Sequence, residues 1–420
     1  MENGLHVILH QDNTTPIVNV SVFYHVGSKN EPKGKTGFAH FFEHLMFEGS
    51  ENVGRGEFDK ILDKAGGTNN ASTDFDRTFY YETLPSHQLE VALYLESERM
   101  LHPVIDSAGI ATQREVVKEE KRQRIDNQPY GTILDETISR VFKGTAYAWS
   151  PIGTFDDINA ATQQDFQDFF NTFYVPNNAV LSIAGDIDKE DVRAKVEKWF
   201  GEIPRGTKEI PRPVVMPQKT GLVTAEVFDN IQLPAVIHAY QMFEQGSEDY
   251  YALEMLTTLL SGGQSSRFQK QIVDDQQIAV LVSSVPLALE SAGVFIAYGL
   301  VNVGNDPAEL SRALDKEIMR VKNEEIGDQE FQKLRNQIEN AFVSSNSTMA
   351  GIAESLADYH VYYGDANLIN NEIERYMAVT KEDLKRVANK YLNPEDRVEL
   401  TYLPKSAQKQ PVEGELEDNK

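Results

Sequence analysis

The chain has 420 residues, 40% hydrophobic and 25% charged, an ordinary globular composition on a length that calls for about two to four domains. A formal charge of −25 argues against a nucleic-acid partner, because phosphates would be repelled, and hints only at a mild preference for basic ligands. There is no cysteine and no apolar run of about 18 residues, which excludes disulfides, thiolate chemistry and a membrane span and leaves any zinc to His and carboxylate ligands.

Met1-Glu2-Asn3-Gly4-Leu5 leads directly into a strand and does not read as a signal peptide. The chain as given is expected to be soluble and cytoplasmic, or periplasmic if a signal was removed. Alternating apolar and polar residues predict strands over 5–10 and 17–26, with a turn at Asp12-Asn13. A loop over 27–34 precedes a helix over 37–48 that is apolar nearly all round, through Phe38, Phe41, Phe42, Leu45, Met46 and Phe47. A short helix over 57–65 leads to Gly66-Gly67 and then to strands over 69–73 and 78–83, joined by a turn over 74–76. Amphipathic helices follow over 88–101 and 110–125, the second stopped by Asn127-Gln128-Pro129-Tyr130-Gly131. A helix over 162–173 and a strand over 179–185 complete the first half.

The second half repeats this plan. Leu233-Pro234-Ala235-Val236-Ile237 echoes Thr15-Pro16-Ile17-Val18-Asn19, and Tyr251-Ala252-Leu253 echoes Phe38-Ala39-His40. Near the ends of the halves, Thr380-Lys381-Glu382-Asp383-Leu384 echoes Thr162-Gln163-Gln164-Asp165-Phe166, and the offset is near 218 residues at both the first and last matches. The expected fold class is α+β, with two homologous domains, each a mostly antiparallel sheet with helices packed on one face. The expected boundaries are 1–203 for a metal-binding domain, 204–221 for a Pro-rich extended linker, 222–405 for a second domain and 406–420 for a disordered acidic tail.

His40 and His44 lie one turn apart on one helix face, where two imidazoles can reach a single ion. Glu43 stands at the edge of that face, placed to address a water on the metal. A single His on an apolar helix is more often a satisfied core residue, but two histidines and a glutamate are costly to bury unpaired. Aligning the halves puts Leu253, Leu256 and Thr257 at the places of His40, Glu43 and His44, so the fold itself does not demand those three residues. A third ligand is sought on the helix Gln113-Arg114-Glu115-Val116-Val117-Lys118-Glu119-Glu120. Val116 and Val117 mark its buried face; Glu120 lies within roughly 60° of both, whereas Glu115 and Glu119 turn toward solvent.

The inverted H-x-x-E-H motif, a glutamate 76 positions after its last histidine and the duplicated half-chain resemble the pitrilysin (insulinase) family of zinc peptidases. Gly37-Phe38-Ala39, the run from Gly66 to Thr73, Thr78-Phe79-Tyr80-Tyr81 and Gln113 to Arg122 carry the same likeness. It covers almost the whole chain, in the short form similar to bacterial half-length members and to the β subunit of mitochondrial processing peptidase. The resemblance implies that His40, His44 and Glu120 bind one Zn2+ per chain and that Glu43 is the general base, activating a zinc-bound water and protonating the leaving amine. It also implies that Asn70, Ala71, Ser72 and Thr73 form an edge strand that binds a peptide substrate by strand addition.

Two departures from the family pattern bear on function. Gln113 stands where some members carry a second acid. Val273 and Val280 stand where members usually place an Arg and, seven residues later, a Tyr that hold substrate and oxyanion; losing such a donor costs about 10²–10³ in rate. Arg267 belongs to the preceding turn, six residues away. The implied assembly is therefore a hetero-oligomer, in which a paralogous subunit brings the Arg/Tyr pair across a closed clam-shell chamber. A self-sufficient homodimeric peptidase and a non-catalytic core-type subunit stay open as alternatives; the two valines speak against the first and the whole metal set against the second.

Overall fold

Two five-stranded sheets organise residues 1–216 and 221–408, which the computed structural model describes. β1 (His6–Gln11), β2 (Ile17–Tyr24), β3 (Thr68–Thr73), β4 (Thr78–Pro85) and β5 (Ala179–Gly185) form the first sheet, in the order β1-β5-β2-β4-β3. β6 (Val223–Asp229), β7 (Ala235–Met242), β8 (Ala279–Ala288), β9 (Gly293–Val301) and β10 (Val398–Pro404) form the second, in the order β6-β10-β7-β9-β8. The two orders are the same when each half's strands are counted from its own first. In both, the first strand runs parallel to the last and every other pairing is antiparallel. The expected α+β duplication is present, down to the capping boxes Thr162–Asp165 and Thr380–Asp383 that open matching helices.

Strand alternation explains the layers. Val18, Val20, Val22 and Tyr24 of β2 face the helices of their own half, whereas Phe23 faces the other way with Phe79 and Val180. That far face is covered as well. The helix Met349–Tyr363, from the second half of the chain, packs against β1, β2 and β5 and buries Ala357 beside Phe23. The exchange is reciprocal: the helix Ile133–Val141 crosses to β7 and β10, where Ile138 and Val141 join Ile237, Ala239 and Leu400. Each sheet therefore has its own half's helices on one face and one helix of the other half on the opposite face. β2 is accordingly buried at every residue except Ile17.

Three first-half helices lack a counterpart in the sequence reading: Ile133–Val141, Phe155–Ala160 and Lys189–Phe200. The helix that bears the histidines runs Phe38–Leu45, shorter at its end than expected. Phe47 and Glu48 donate to the carbonyls of His44 and Leu45, three residues back, and Gly49 then turns the chain away at φ 119°.

Residues 206–212, within the expected linker, lie along the first half. Gly206 N donates to Asn177 Oδ1 at 2.7 Å, Asn30 Nδ2 to Pro211 O at 3.0 Å and Arg212 Nη1 to His25 O at 2.7 Å. Residues 217–220 and 409–420, where most of the expected tail falls, lie outside the described residues. Among the described residues no helix is long and apolar enough to cross a membrane.

Candidate metal and active site

The helix Phe38–Leu45 is fixed from several sides. A buried carboxylate caps its N-terminus: Glu31 accepts from Gly37 N and Ala39 N, each at 2.9 Å, and from Trp149 Nε1 at 3.0 Å. Burial pushes the Glu31 carboxyl up to about 8, against donors that favour its charged form. Gly37 enters the helix at φ 93°, where an added Cβ would meet Ile152 O at 2.9 Å. From the sheet, Tyr80 OH of β4 donates to Phe42 O at 3.0 Å. The Phe166 ring lies 4.6 Å from that of Phe38 and 4.5 Å from that of Phe41, centroid to centroid.

So held, the helix presents His40 and His44 to the helix Ser107–Lys121, whose Glu120 faces them. His40 Nε2 and His44 Nε2 are 3.4 Å apart, and Glu120 Oε2 lies 3.5 Å from the first and 3.1 Å from the second. A tetrahedral zinc with bonds near 2.0–2.1 Å needs donor atoms roughly 3.3–3.4 Å apart. The three atoms already stand at that spacing, and they are the one such group of three or more His, Asp or Glu ligands among the described residues.

The electrostatics suit a cation. Burial lowers the His40 imidazole to about 4, with His44 adding to the effect and Glu120 opposing it. Its Nδ1 is buried without a hydrogen-bond partner among the described residues, so the ring has little to support a second proton. Neutral imidazole is the form that ligates a metal. The hydrogen bond from His44 holds the Glu120 carboxyl below its usual range. Two imidazoles and one carboxylate, with a fourth position open, make a donor set that fits catalytic zinc.

Glu43 adjoins this group. Its Oε2 accepts from Thr73 Oγ1 at 2.6 Å. Burial raises the Glu43 carboxyl, and the Thr73 hydrogen bond works against the rise. Glu43 and His44 share an open cleft with Phe47, Asp59, Asn69, Asn70 and Ala71. The cleft is bordered by β3, an edge strand that pairs with β4 alone, Asn70 opposite Tyr81 and Thr73 opposite Thr78. Asn70 and Ser72 point to solvent, while Ala71 and Thr73 are half-buried. An edge in this position can accept an extended peptide as a further strand.

The other residues singled out from the sequence fall elsewhere. Gln113 donates to Glu48 Oε1 at 2.6 Å, and Arg55 holds the other Glu48 oxygen at 3.1 Å. Glu115 and Glu119 are exposed, paired with Lys118 at 2.9 Å and Arg122 at 3.3 Å. In the second half the helix Tyr250–Ser261 packs on β8 as the histidine-bearing helix packs on β3. There Leu253, Leu256 and Thr257 are buried. Val273 sits half-buried in the wide turn Gln269–Asp275, against the core, and Val280 is 47% exposed on β8. Arg267 is engaged by both oxygens of Glu330, at 3.0 and 2.7 Å.

Three contributors were not found from the sequence: the Glu31 cap, the inward turn of the Thr73 hydroxyl, and Arg124, whose Nη1 lies 2.7 Å from Glu120 Oε1. Only Arg124, four residues after Glu120, carried a spacing signal.

Comparison with known proteins bears on this geometry. The description Insulinase (Peptidase family M16) matches residues 6–154, and Peptidase M16 inactive domain matches residues 160–338. The zinc protease PqqE of Helicobacter pylori is 34% identical over 399 residues, covering 93% of this chain and 89% of that one. The crystal structure of a protease from Helicobacter pylori matches with a TM-score of 0.92 at 31% identity, covering 96% of this chain and 98% of the other. The mitochondrial-processing peptidase subunit beta of Blastocladiella emersonii is 24% identical over 404 residues, 94% of this chain and 86% of that one.

Proposed function

The chain belongs to the insulinase family, peptidase family M16, and from that premise we propose that it is a zinc-dependent endopeptidase subunit that hydrolyses peptides or unfolded segments. The observation that carries the reading is the 3.1–3.5 Å spacing of His40, His44 and Glu120, with Glu43 beside them in a cleft bordered by an edge strand.

When bound, zinc supplies a Lewis acid for the scissile carbonyl and for water. The chain's residues do the rest. His40, His44 and Glu120 hold one ion per chain. Glu43, its carboxyl raised by burial, takes a proton from the water that attacks the carbonyl carbon and delivers it to the amine that leaves as the C–N bond breaks. Thr73 fixes one oxygen of Glu43 and leaves the other for that proton. The strand from Asn70 to Thr73 aligns the substrate backbone by main-chain pairing, with alternate side chains facing the cleft.

We also infer that this is the metal-bearing half of a hetero-oligomer. Val273 and Val280 have no side-chain donor to offer, and Arg267 is engaged by Glu330. A paralogous subunit would bring an Arg/Tyr pair across the chamber. The similar processing-peptidase chain is by its name one subunit of its enzyme, which supports the reading.

The test is hydrolysis of a mixed quenched-peptide library by the purified chain, alone and with candidate paralogues, with bound metal quantified. Zinc near one per chain, with strong activity only on adding a partner, is the expected result. Full activity of the chain alone would refute the split site, and absence of bound zinc would refute the metal site.

A further inference from the structure

The two oxygens of Glu120 are divided between different partners. Oε2 faces the imidazoles at 3.1 and 3.5 Å, whereas Oε1 is 2.7 Å from Arg124 Nη1. The helix that carries Glu120 ends at Lys121 and continues as a wider turn, Arg122–Asp126, closed by Asn127 N donating to Arg122 O at 2.8 Å. That turn holds the Arg124 guanidinium over the rim of the site. The Arg124 side chain is 76% exposed, and Glu120 is its one ion-pair partner among the described residues. The neighbouring cations point elsewhere, Lys121 toward Asp135 and Arg122 toward Glu119.

An exposed pair four residues apart on a helix is ordinarily worth little. This one differs because its acid is only 15% exposed and belongs to the metal-binding trio. A carboxylate free to turn could offer both oxygens to zinc and fill the fourth position, which a catalytic site keeps open for water. We propose that Arg124 is a positioning residue that pins Oε1 of Glu120, so that the carboxylate presents one oxygen, Oε2, to the metal. This rests on the zinc site proposed above. Contacts of this kind, one shell out from a metal, typically change its affinity by about 10- to 100-fold when removed.

The test uses the full chain with Arg124→Gln, Arg124→Lys and, as a control on the site itself, His44→Gln. Zinc affinity is read by competition with a chromophoric chelator, and coordination by the visible spectrum of the Co2+-loaded protein. Arg124→Gln should change zinc affinity about 10-fold or more and alter the intensity of the Co2+ bands, as the freed carboxylate offers its second oxygen to the ion. Arg124→Lys should stay within about threefold of wild type. Both Arg124 variants should fold, since that side chain is exposed, and circular dichroism checks all three proteins. Wild-type affinity and an unchanged Co2+ spectrum in Arg124→Gln, with His44→Gln impaired, would overturn the positioning role alone. Wild-type protein that binds neither ion would overturn the metal site and this role with it.

Discussion

Removal of Arg77 should open the seam between the halves. Arg77 lies in the β3–β4 turn and reaches three acids: Asp74 at 3.2 Å, Asp358 at 2.8 Å, and Glu354. The last two belong to the exchanged helix Met349–Tyr363. The guanidinium is 14% exposed and stacks 5.0 Å from the Phe79 ring centroid. Arg77→Met would leave three carboxylates facing one another, which for a buried pair costs about 3–5 kcal/mol. Because the acids are 29–47% exposed, about 3 kcal/mol is the expectation at pH 8. At about 1 °C per kcal/mol for interlocked halves that unfold together, the melting temperature should fall by roughly 3 °C.

The pH dependence gives a second reading on the same variant. Burial pushes the Asp358 carboxyl up to about 7, Arg77 opposing and Glu354 and Asp74 adding to the rise. A folded-state value above the unfolded one means that the stability Asp358 contributes is fully present below about pH 4 and is lost as the pH rises through 7. Without Arg77 that loss deepens, so the deficit of Arg77→Met should be larger at pH 8 than at pH 5.5. Thermal melts of both proteins at the two pH values decide the matter. A deficit under 2 °C at pH 8, or one equal at both pH values, would refute the reasoning.

Thr73→Val should lower peptide hydrolysis about 10-fold through kcat with zinc affinity unchanged, because it frees Glu43 Oε2 without touching the ligands; steady-state kinetics and chelator competition check this. Tyr80→Phe should cost about 1 kcal/mol in urea unfolding through the lost bond to Phe42 O. Chelation should abolish hydrolysis and lower the melting temperature, since zinc at a hundred times its dissociation constant stabilises by about 2.7 kcal/mol; added zinc should restore both.

The grouping of His40, His44 and Glu120 was legible because each lies on a helix whose buried face the sequence defines. His40 and His44 sit one helical turn apart, and Glu120 was separable from Glu115 and Glu119 by angle about Val116 and Val117. The duplication was legible because both halves keep the same turn and cap residues, Thr162 to Asp165 and Thr380 to Asp383. The exchange of the helices Ile133–Val141 and Met349–Tyr363 was not legible. Their apolar faces report that each is buried, but not against which sheet, and the partner strands lie far away in sequence, in the other half of the chain. Glu31 and Thr73 were hidden for a similar reason. A buried carboxylate in a loop and a hydroxyl on an edge strand acquire their roles only when the fold brings them to Gly37 and Glu43.

The most direct measurement compares wild type with Glu43→Gln, each loaded with zinc and assayed with the quenched-peptide library, alone and with candidate paralogues. Glu43→Gln should bind zinc near one per chain, as wild type does, and lose at least about 100-fold in hydrolysis, the range expected for removing a general base. Hydrolysis within a few-fold of wild type, with zinc bound in both, would contradict the account.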